Sequence, residues 1–491
     1  MADKFQIEQN QQLEYIFNLF KNKYFTIEGC NSEDPKTLEL FITPLCNQQC
    51  EYCYLVKHQD ELYPKEIRSK QQILHNLEIL LTYLLEEHVV IPKLDLFSGE
   101  IWGMEFGNQV LDTIIGYIKK GLNIKKIMIP TNCSFLMEDK LRSLMNNYFE
   151  IFNDLGVDFS ISASIDGLFI DTKSRPFKNK QQTAVIKNKE YYDNIISFLI
   201  EHDCGFHPMI SAYSIEHQKD NYKWWFETLQ NHLGHPLTPD EWHKYIMMLE
   251  VRNDDWTTEK IISYLDWLNY AIDFDIKNLW SGNTLDFIYY ILLRKNGVIS
   301  KLDNTPYKPV TQFDSTNLCY SPKPLDGITD KGFTCSVGSS LIVRLGDLSI
   351  VPCHRTSYKK FIYGQFKVEN DKIVGLTANN PFLMFNILFQ GTTTMFKCDH
   401  CAIKNCCIKG CIGSQFESTE ELFYPIKSVC NFYKAKVVFQ HLKYLKLISD
   451  NKFDNDYVFP TTAVDEAYEK LLKDEPEETN RWVQIIQTII S

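Results

Sequence analysis

The chain has no excess of positive charge. Across its 491 residues, 51 Lys and Arg face 63 Asp and Glu, a net charge of −12. A surface of that sign does not suit a polyphosphate, so nucleic acid is not an expected partner. The densest local group of cations, Arg175, Lys178, Lys180, Lys187 and Lys189 within Lys173–Lys189, reads as a solvated loop. Long apolar runs are also missing: Ile73–Val90 is interrupted by Glu78, Glu86, Glu87 and His88. No bilayer-spanning helix and no membrane partner are therefore expected. The opening Met-Ala-Asp-Lys-Phe-Gln has no cationic segment followed by an apolar one, so no secretory signal is read there and the expected location is cytoplasmic. Internal repeats and low-complexity tracts are absent as well.

What the chain does have is core-forming material and cysteine. A hydrophobic content of 44% is ample for packed interiors, and the length exceeds what one core usually serves, so two or more domains are expected. There are 15 cysteines, concentrated in two groups near opposite ends. In a reducing compartment such groups point to metal ligands or redox centres rather than structural disulfides.

From about Thr37 to Glu250 short apolar runs alternate with amphipathic stretches. Strands are expected at Leu38–Thr43, Lys93–Ser98, Lys126–Thr131, Asp158–Ser164, Gly205–Ser211 and Tyr245–Glu250. Helical periodicity marks Ile73–Leu85, Gln109–Ile118 and Asp193–Ile200. This alternation predicts an α/β fold with parallel strands and right-handed crossovers. Six such units suit a partial (β/α)6 TIM-like barrel; periodicity alone leaves a doubly wound sheet open. Residues 255–295 read as helices that bury Trp256, Ile261, Leu265, Leu268, Ile272, Ile288 and Leu292, and Arg294–Phe333 as an irregular connector. Cys335–Cys430 is a cysteine-rich second module, Val437–Ile448 is helical, and Thr462–Ile490 forms two short helices broken at Pro476.

Cys46, Cys50 and Cys53 stand in Cys-x3-Cys-x2-Cys spacing just beyond the first expected strand. Active-site groups of parallel α/β folds emerge at such strand C-termini. Three thiolates at this spacing suit a cubane iron–sulfur cluster with one iron open, whereas zinc sites more often pair cysteines and close all four positions. With Tyr52 before the last cysteine, the motif resembles the signature of radical S-adenosylmethionine (SAM) enzymes. The resemblance covers about Thr37–Glu250. Ser98-Gly99-Glu100 is similar to that family's Gly-Gly-Glu-Pro element, with departures at Ser98 and Ile101. Thr131 and Asn132 are similar to its ribose-side element. Ser164, Asp166 and Arg175 follow the fourth strand where the family holds the SAM carboxylate, a task that suits the planar guanidinium.

In the second group, Cys398, Cys401, Cys407, Cys411 and Cys430, preceded by Cys335 and Cys353, resemble the seven-cysteine SPASM domain of those enzymes. Six residues separate Gly346 from Cys353, a longer turn than usual there. The resemblance implies two auxiliary 4Fe–4S clusters, three in all with the SAM-binding one. Cys398, Cys401, Cys407 and Cys430 would hold the outer auxiliary cluster, and Cys335, Cys353 and Cys411 the inner. Sulfatase-maturing relatives place another cysteine where this chain has Leu341, so Cys319 is the candidate fourth inner ligand, or the site stays open to a substrate thiol. Cys406 reads as a bystander, and Cys30, Cys133 and Cys204 as ordinary buried thiols. The domains read as an extension over 1–36, the barrel over 37–254, a helical bridge and connector over 255–334, the SPASM module over 335–430 and a helical tail over 431–491.

The resemblance further implies reductive cleavage of SAM to a 5′-deoxyadenosyl radical and hydrogen abstraction from a carbon of a peptide. Sulfatase-maturing relatives carry an aspartate after the cysteine matched by Cys353, whereas this chain has His354-Arg355. His354 is the candidate proton acceptor. The favoured expectation is maturation of a ribosomally made precursor peptide by a thioether crosslink, then carbon–carbon crosslinking or formylglycine formation on a sulfatase. A zinc-bound interaction module is the non-enzyme alternative. Implied partners are the precursor peptide and an electron donor such as flavodoxin or ferredoxin. Only about 36 residues precede the first strand, so leader binding is expected to use a separate protein or the C-terminal tail.

Overall fold

The structure is a computed structural model that describes residues 26–27, 37–102, 106–289, 337–338, 340–387, 395–407, 409–452 and 463–491. Leu292, the Arg294–Phe333 connector, Cys30, Cys319 and Cys335 lie outside the described residues.

Along the chain run β1 (Thr37–Phe41), α1 (Tyr54–Leu62), α2 (Lys70–Glu86), β2 (Lys93–Phe97), α3 (Gly107–Lys119), β3 (Lys126–Thr131), α4 (Asp139–Asp154), β4 (Asp158–Ala163), α5 (Lys189–Glu201), β5 (Met209–Ile210), α6 (Gln218–Leu233) and β6 (Leu249–Glu250). After α7 (Thr258–Asn278) come β7 (Ser340–Arg344), β8 (Ser349–Ile350), β9 (Gly364–Glu369) and β10 (Lys372–Ala378), then α8 (Lys427–Asp450), α9 (Ala463–Asp474) and α10 (Pro476–Ile490). The strands and helices divide into two compact units. One comprises 1–165, 175–206 and 335–391, the other 166–174, 207–334 and 392–491.

The first unit is built on an eight-stranded sheet in the order β10-β9-β8-β7-β1-β2-β3-β4. β1 to β4 pair in parallel in chain order, and Ala163 bridges Phe206 in parallel. The chain-order succession is what a barrel wall requires; a doubly wound sheet would reverse direction part-way. Leu38, Leu40, Leu94, Leu96, Ile127 and Ile129, alternate residues along their strands, bury one face of the sheet, and on β1 and β2 the opposite face is buried too, at Glu39, Phe41 and Asp95. α2 begins at Ser69, whose hydroxyl accepts from the Gln72 N–H, a cap of about 1 kcal/mol, and buries Ile73, Leu77, Leu80, Leu81 and Leu84. β7 joins from far along the chain, parallel to β1 with Leu341 beside Leu38. β8, β9 and β10 extend the sheet as antiparallel strands. A smaller sheet joins Thr26–Ile27, Val89–Ile91 and Asn123–Ile124.

The second unit is mostly helical around the short parallel pair β5–β6. The strands expected over Gly205–Ser211 and Tyr245–Glu250 shrink to two residues each. Pro208 has no amide donor for a ladder. Tyr245 instead ends a helix, Pro239–Tyr245, that starts in a full capping box: Thr238 and Glu241 satisfy each other's backbone N–H, with Pro239 in the first turn. α7 and α8 close on an aromatic core in which the Phe432 ring lies 4.5 Å from Trp256 and 4.6 Å from Tyr264. The tail folds as two helices meeting at Pro476, as its sequence implies.

Candidate active site

In the first unit the loop after β1 carries Cys46, Cys50 and Cys53, and three neighbours fix its shape. The Glu100 N–H donates to the Leu45 carbonyl at 2.8 Å, which clamps the turn after β2 onto the loop. Gly99 makes that clamp possible: its φ is +66°, and a Cβ there would lie 2.3 Å from the Leu45 carbonyl oxygen. From the end of β3, the Asn132 amide donates to the Asn47 side chain at 2.7 Å, and Asn47 in turn donates to Ser134. On a third side, residues 47–49 pair with Pro176–Lys178 like a strip of sheet, Gln49 N–H to Pro176 and Lys178 N–H to Asn47. That strip carries Arg175, which is buried with its guanidinium 5.3 Å from the Tyr52 ring centre. The segment expected to be a solvated cationic loop is therefore partly interior. Lys187 is buried too, donating to the Arg175 carbonyl; its length lets the ammonium reach an acceptor inside.

The triad thiols sit among donors that favour a bound anion. The Gln48 N–H points to the Cys46 sulfur at 3.4 Å, and Cys53 occupies the N-cap position of α1, where the nearby Leu55 and Val56 N–H groups favour its thiolate. A helix start lends positive potential to a thiolate. Burial dominates the titration: desolvation, then the Glu100 carboxylate, push Cys46 up to about 12. Desolvation also raises Cys53. Cys50 is buried beside the Gln48 side chain. These thiols suit a cationic partner that displaces their protons, and an iron–sulfur cluster meets that description.

The other expected residues divide. Glu100 is buried and held by the Thr131 hydroxyl at 2.9 Å, the Asn132 N–H at 2.7 Å and the Trp102 N–H. Glu100, Thr131 and Asn132 thus act as one network at the ends of β2 and β3. Ser98 lies near the Tyr54 hydroxyl, though its own buried hydroxyl makes no hydrogen bond. Ser164, just past β4, donates its N–H to Thr131. Asp166 belongs to the second unit, where its carboxylate accepts from the Ser174 hydroxyl and the Met209 N–H, and its carbonyl from Asn221 and Trp225. It holds its own turn together.

Cys353 and His354 lie past β8 in the first unit. Cys353 accepts from the Arg355 N–H. The His354 ring stacks on Phe97 at 4.6 Å, and its Nδ1 lies 3.7 Å from the Glu39 carboxylate. The Tyr54 ring lies 5.5 Å from the His354 ring, with the Arg355 guanidinium 5.5 Å from its centre. Sequence reasoning missed Tyr54 and Glu39. The signals were there: an aromatic directly after the triad, and a carboxylate inside the apolar run Leu38–Ile42.

In the second unit Cys398, Cys401, Cys407 and Cys430 line one cavity together with Arg252, Gly410, Gln415 and Tyr433. Burial lifts Cys407 to about 12 and Cys430 to about 11, and neighbouring thiols push both further up. Cys411 is not among the lining residues; it begins the helix Ile412–Thr419. Cys406 donates to the Ala463 carbonyl at 2.8 Å, away from the cavity's lining. Among the described residues no three Cys, His, Asp or Glu side chains are gathered as for a single metal ion. The four thiols border a space instead of converging on a point.

Neither a protein-family model nor a curated protein matches the chain. Among solved structures, native anSMEcpe with bound AdoMet aligns with 85% of this chain and 100% of its own, at 14% identity and a TM-score of 0.48. Native anSMEcpe with bound AdoMet and Cp18Cys peptide covers the same shares at 14% identity and a TM-score of 0.46. No helix among the described residues is long and apolar enough to cross a membrane.

Proposed function

We propose that the chain is a radical SAM enzyme with auxiliary iron–sulfur clusters that modifies a ribosomally made peptide, installing a thioether. One observation carries this reading. The Cys46–Cys53 loop is clamped by Gly99–Glu100 from the end of β2, Asn132 from the end of β3, and the Arg175 strip that follows the helix Asp171–Ser174 beyond β4. A cluster and SAM bound there would supply one-electron cleavage of the sulfonium and so hydrogen abstraction from an unactivated carbon. Cys46, Cys50 and Cys53 would hold that cluster. Glu100, fixed by Thr131 and Asn132, would meet the SAM amino group, and Arg175 its carboxylate.

Cys398, Cys401, Cys407 and Cys430 would hold the outer auxiliary cluster. His354 would take the proton from a substrate thiol, its ring kept in place by Phe97 and Glu39. A flavodoxin or ferredoxin would deliver electrons, and a separate protein would present the leader peptide.

Anaerobic reconstitution tests the reading. The expected outcome is about twelve irons per chain with matching sulfide, and 5′-deoxyadenosine from SAM under dithionite. Cys46→Ala is expected to abolish that product. Zinc without sulfide, or undiminished 5′-deoxyadenosine from the variant, would overturn the proposal. The thioether itself is checked by mass spectrometry on a cysteine-containing precursor, as loss of two hydrogens that also removes a titratable thiol.

A further inference from the structure

Gln415 is fully buried, and neither its amide nitrogen nor its amide oxygen has a hydrogen-bond partner. A buried amide in that state is desolvated without compensation, so it calls for a partner outside the chain. The same side chain lines the cavity bordered by Cys398, Cys401, Cys407 and Cys430. Gly410, also on that cavity, leaves the room: a Cβ at Gly410 would lie 2.2 Å from the Gln415 amide nitrogen. The backbone between Cys407 and Cys411 therefore gives up a side chain where the glutamine passes. An amide with its N–H groups free, next to four thiols, has the chemistry to donate to sulfur.

We propose that Gln415 is the hydrogen-bond donor to the outer auxiliary cluster and sets its reduction potential. The assignment rests on the cluster reading proposed for those four cysteines. Donors to cluster sulfurs stabilise the more negative, reduced form, because the added electron resides partly on sulfur. Arg252 lines the same cavity and adds positive charge to the same effect. The neutral amide supplies a fixed dipole that no titration removes, so the potential it sets is independent of pH around neutrality. Gln415 is a positioning residue: it acts through the cluster and needs no contact with peptide or SAM.

The experiment compares the full-length reconstituted protein with Gln415→Leu and Gln415→Asn by iron and sulfide analysis and by potentiometric EPR. The signal lost in Cys398→Ala identifies the outer cluster. The expected result is wild-type iron content with a lower midpoint potential for that signal alone, in both variants, the shorter amide of Gln415→Asn withdrawing the donor. An unchanged midpoint in either variant that keeps its iron would overturn the proposal. Loss of that cluster from both folded variants would overturn it too, making Gln415 a packing element of the cage. Failure of the underlying cluster reading is distinct, since wild type would then lack the iron and sulfide before any variant is compared.

Discussion

Gly99 shows how one atom decides whether the cysteine loop can form. With φ at +66° and the Leu45 carbonyl 2.3 Å from where a Cβ would be, Gly99→Ala adds about 1–2 kcal/mol of left-handed strain and a collision that only loop displacement relieves. On the proposed reading of three clusters, the expected outcome is a chain that keeps its far-UV circular dichroism but loses about a third of its iron after reconstitution. Unchanged iron would mean that the Glu100–Leu45 clamp is dispensable. The sequence shows Gly99 as part of a motif; that its lost side chain makes room for the cysteine loop is visible only once β1 and β2 lie side by side. Asn47 was invisible for the same reason, because its partners Asn132 and Ser134 arrive from β3.

At the scale of elements, α8 is tied into the second unit by charge as well as by its apolar face. Lys436 and Glu250 form a 2.7 Å ion pair with both side chains almost fully buried, and the Tyr264 hydroxyl donates to the same carboxylate. Breaking one side of such a pair leaves an uncompensated charge, at a cost of about 3–5 kcal/mol, whereas an apolar replacement of both is close to neutral. Lys436→Met is therefore expected to lower the thermal midpoint sharply, and Lys436→Met/Glu250→Leu to recover most of the loss. If the double variant is no better than the single one, the pair is more than a balanced burial. Periodicity identified α8 as a helix over Val437–Ile448 but not its first turns, because the buried Lys436 breaks the apolar pattern that marks a core face.

For the whole molecule, stability carries a pH signature from the sheet. Asp95 on β2 stands in register beside Glu39 on β1, both buried. Desolvation raises Asp95 to about 6; Lys93 opposes the shift and Glu39 adds to it. A carboxyl whose folded pKa exceeds its unfolded one stabilises the fold most at pH below the unfolded value, and that contribution is lost as pH rises through about 6. Asp95→Asn is thus expected to gain about 1–2 kcal/mol relative to wild type between pH 5 and 8, with little difference near pH 4. Thermal midpoints across that range check the sign; a gain that shrinks on going from pH 5 to 8 would reverse it.

The sequence by itself determined the local and the chemical. Apolar runs of strand length and helical periodicity placed β1 to β4 and the helices α2, α3 and α5, since both depend on near neighbours, while α1 and α4 were not marked. The spacing of Cys46, Cys50 and Cys53 and the grouping of Cys398, Cys401, Cys407 and Cys430 were likewise legible, because each belongs to short chain segments. Only the tertiary structure decided what depends on distant partners. β7 pairs with β1 across some three hundred residues of chain, and Arg175 reaches Tyr52 through a backbone strip. Gln415 shows itself as an unsatisfied donor only when the four thiols close around the same cavity. Pairing register, burial and hydrogen-bond satisfaction are sums over neighbours in space, and no window along the chain contains them.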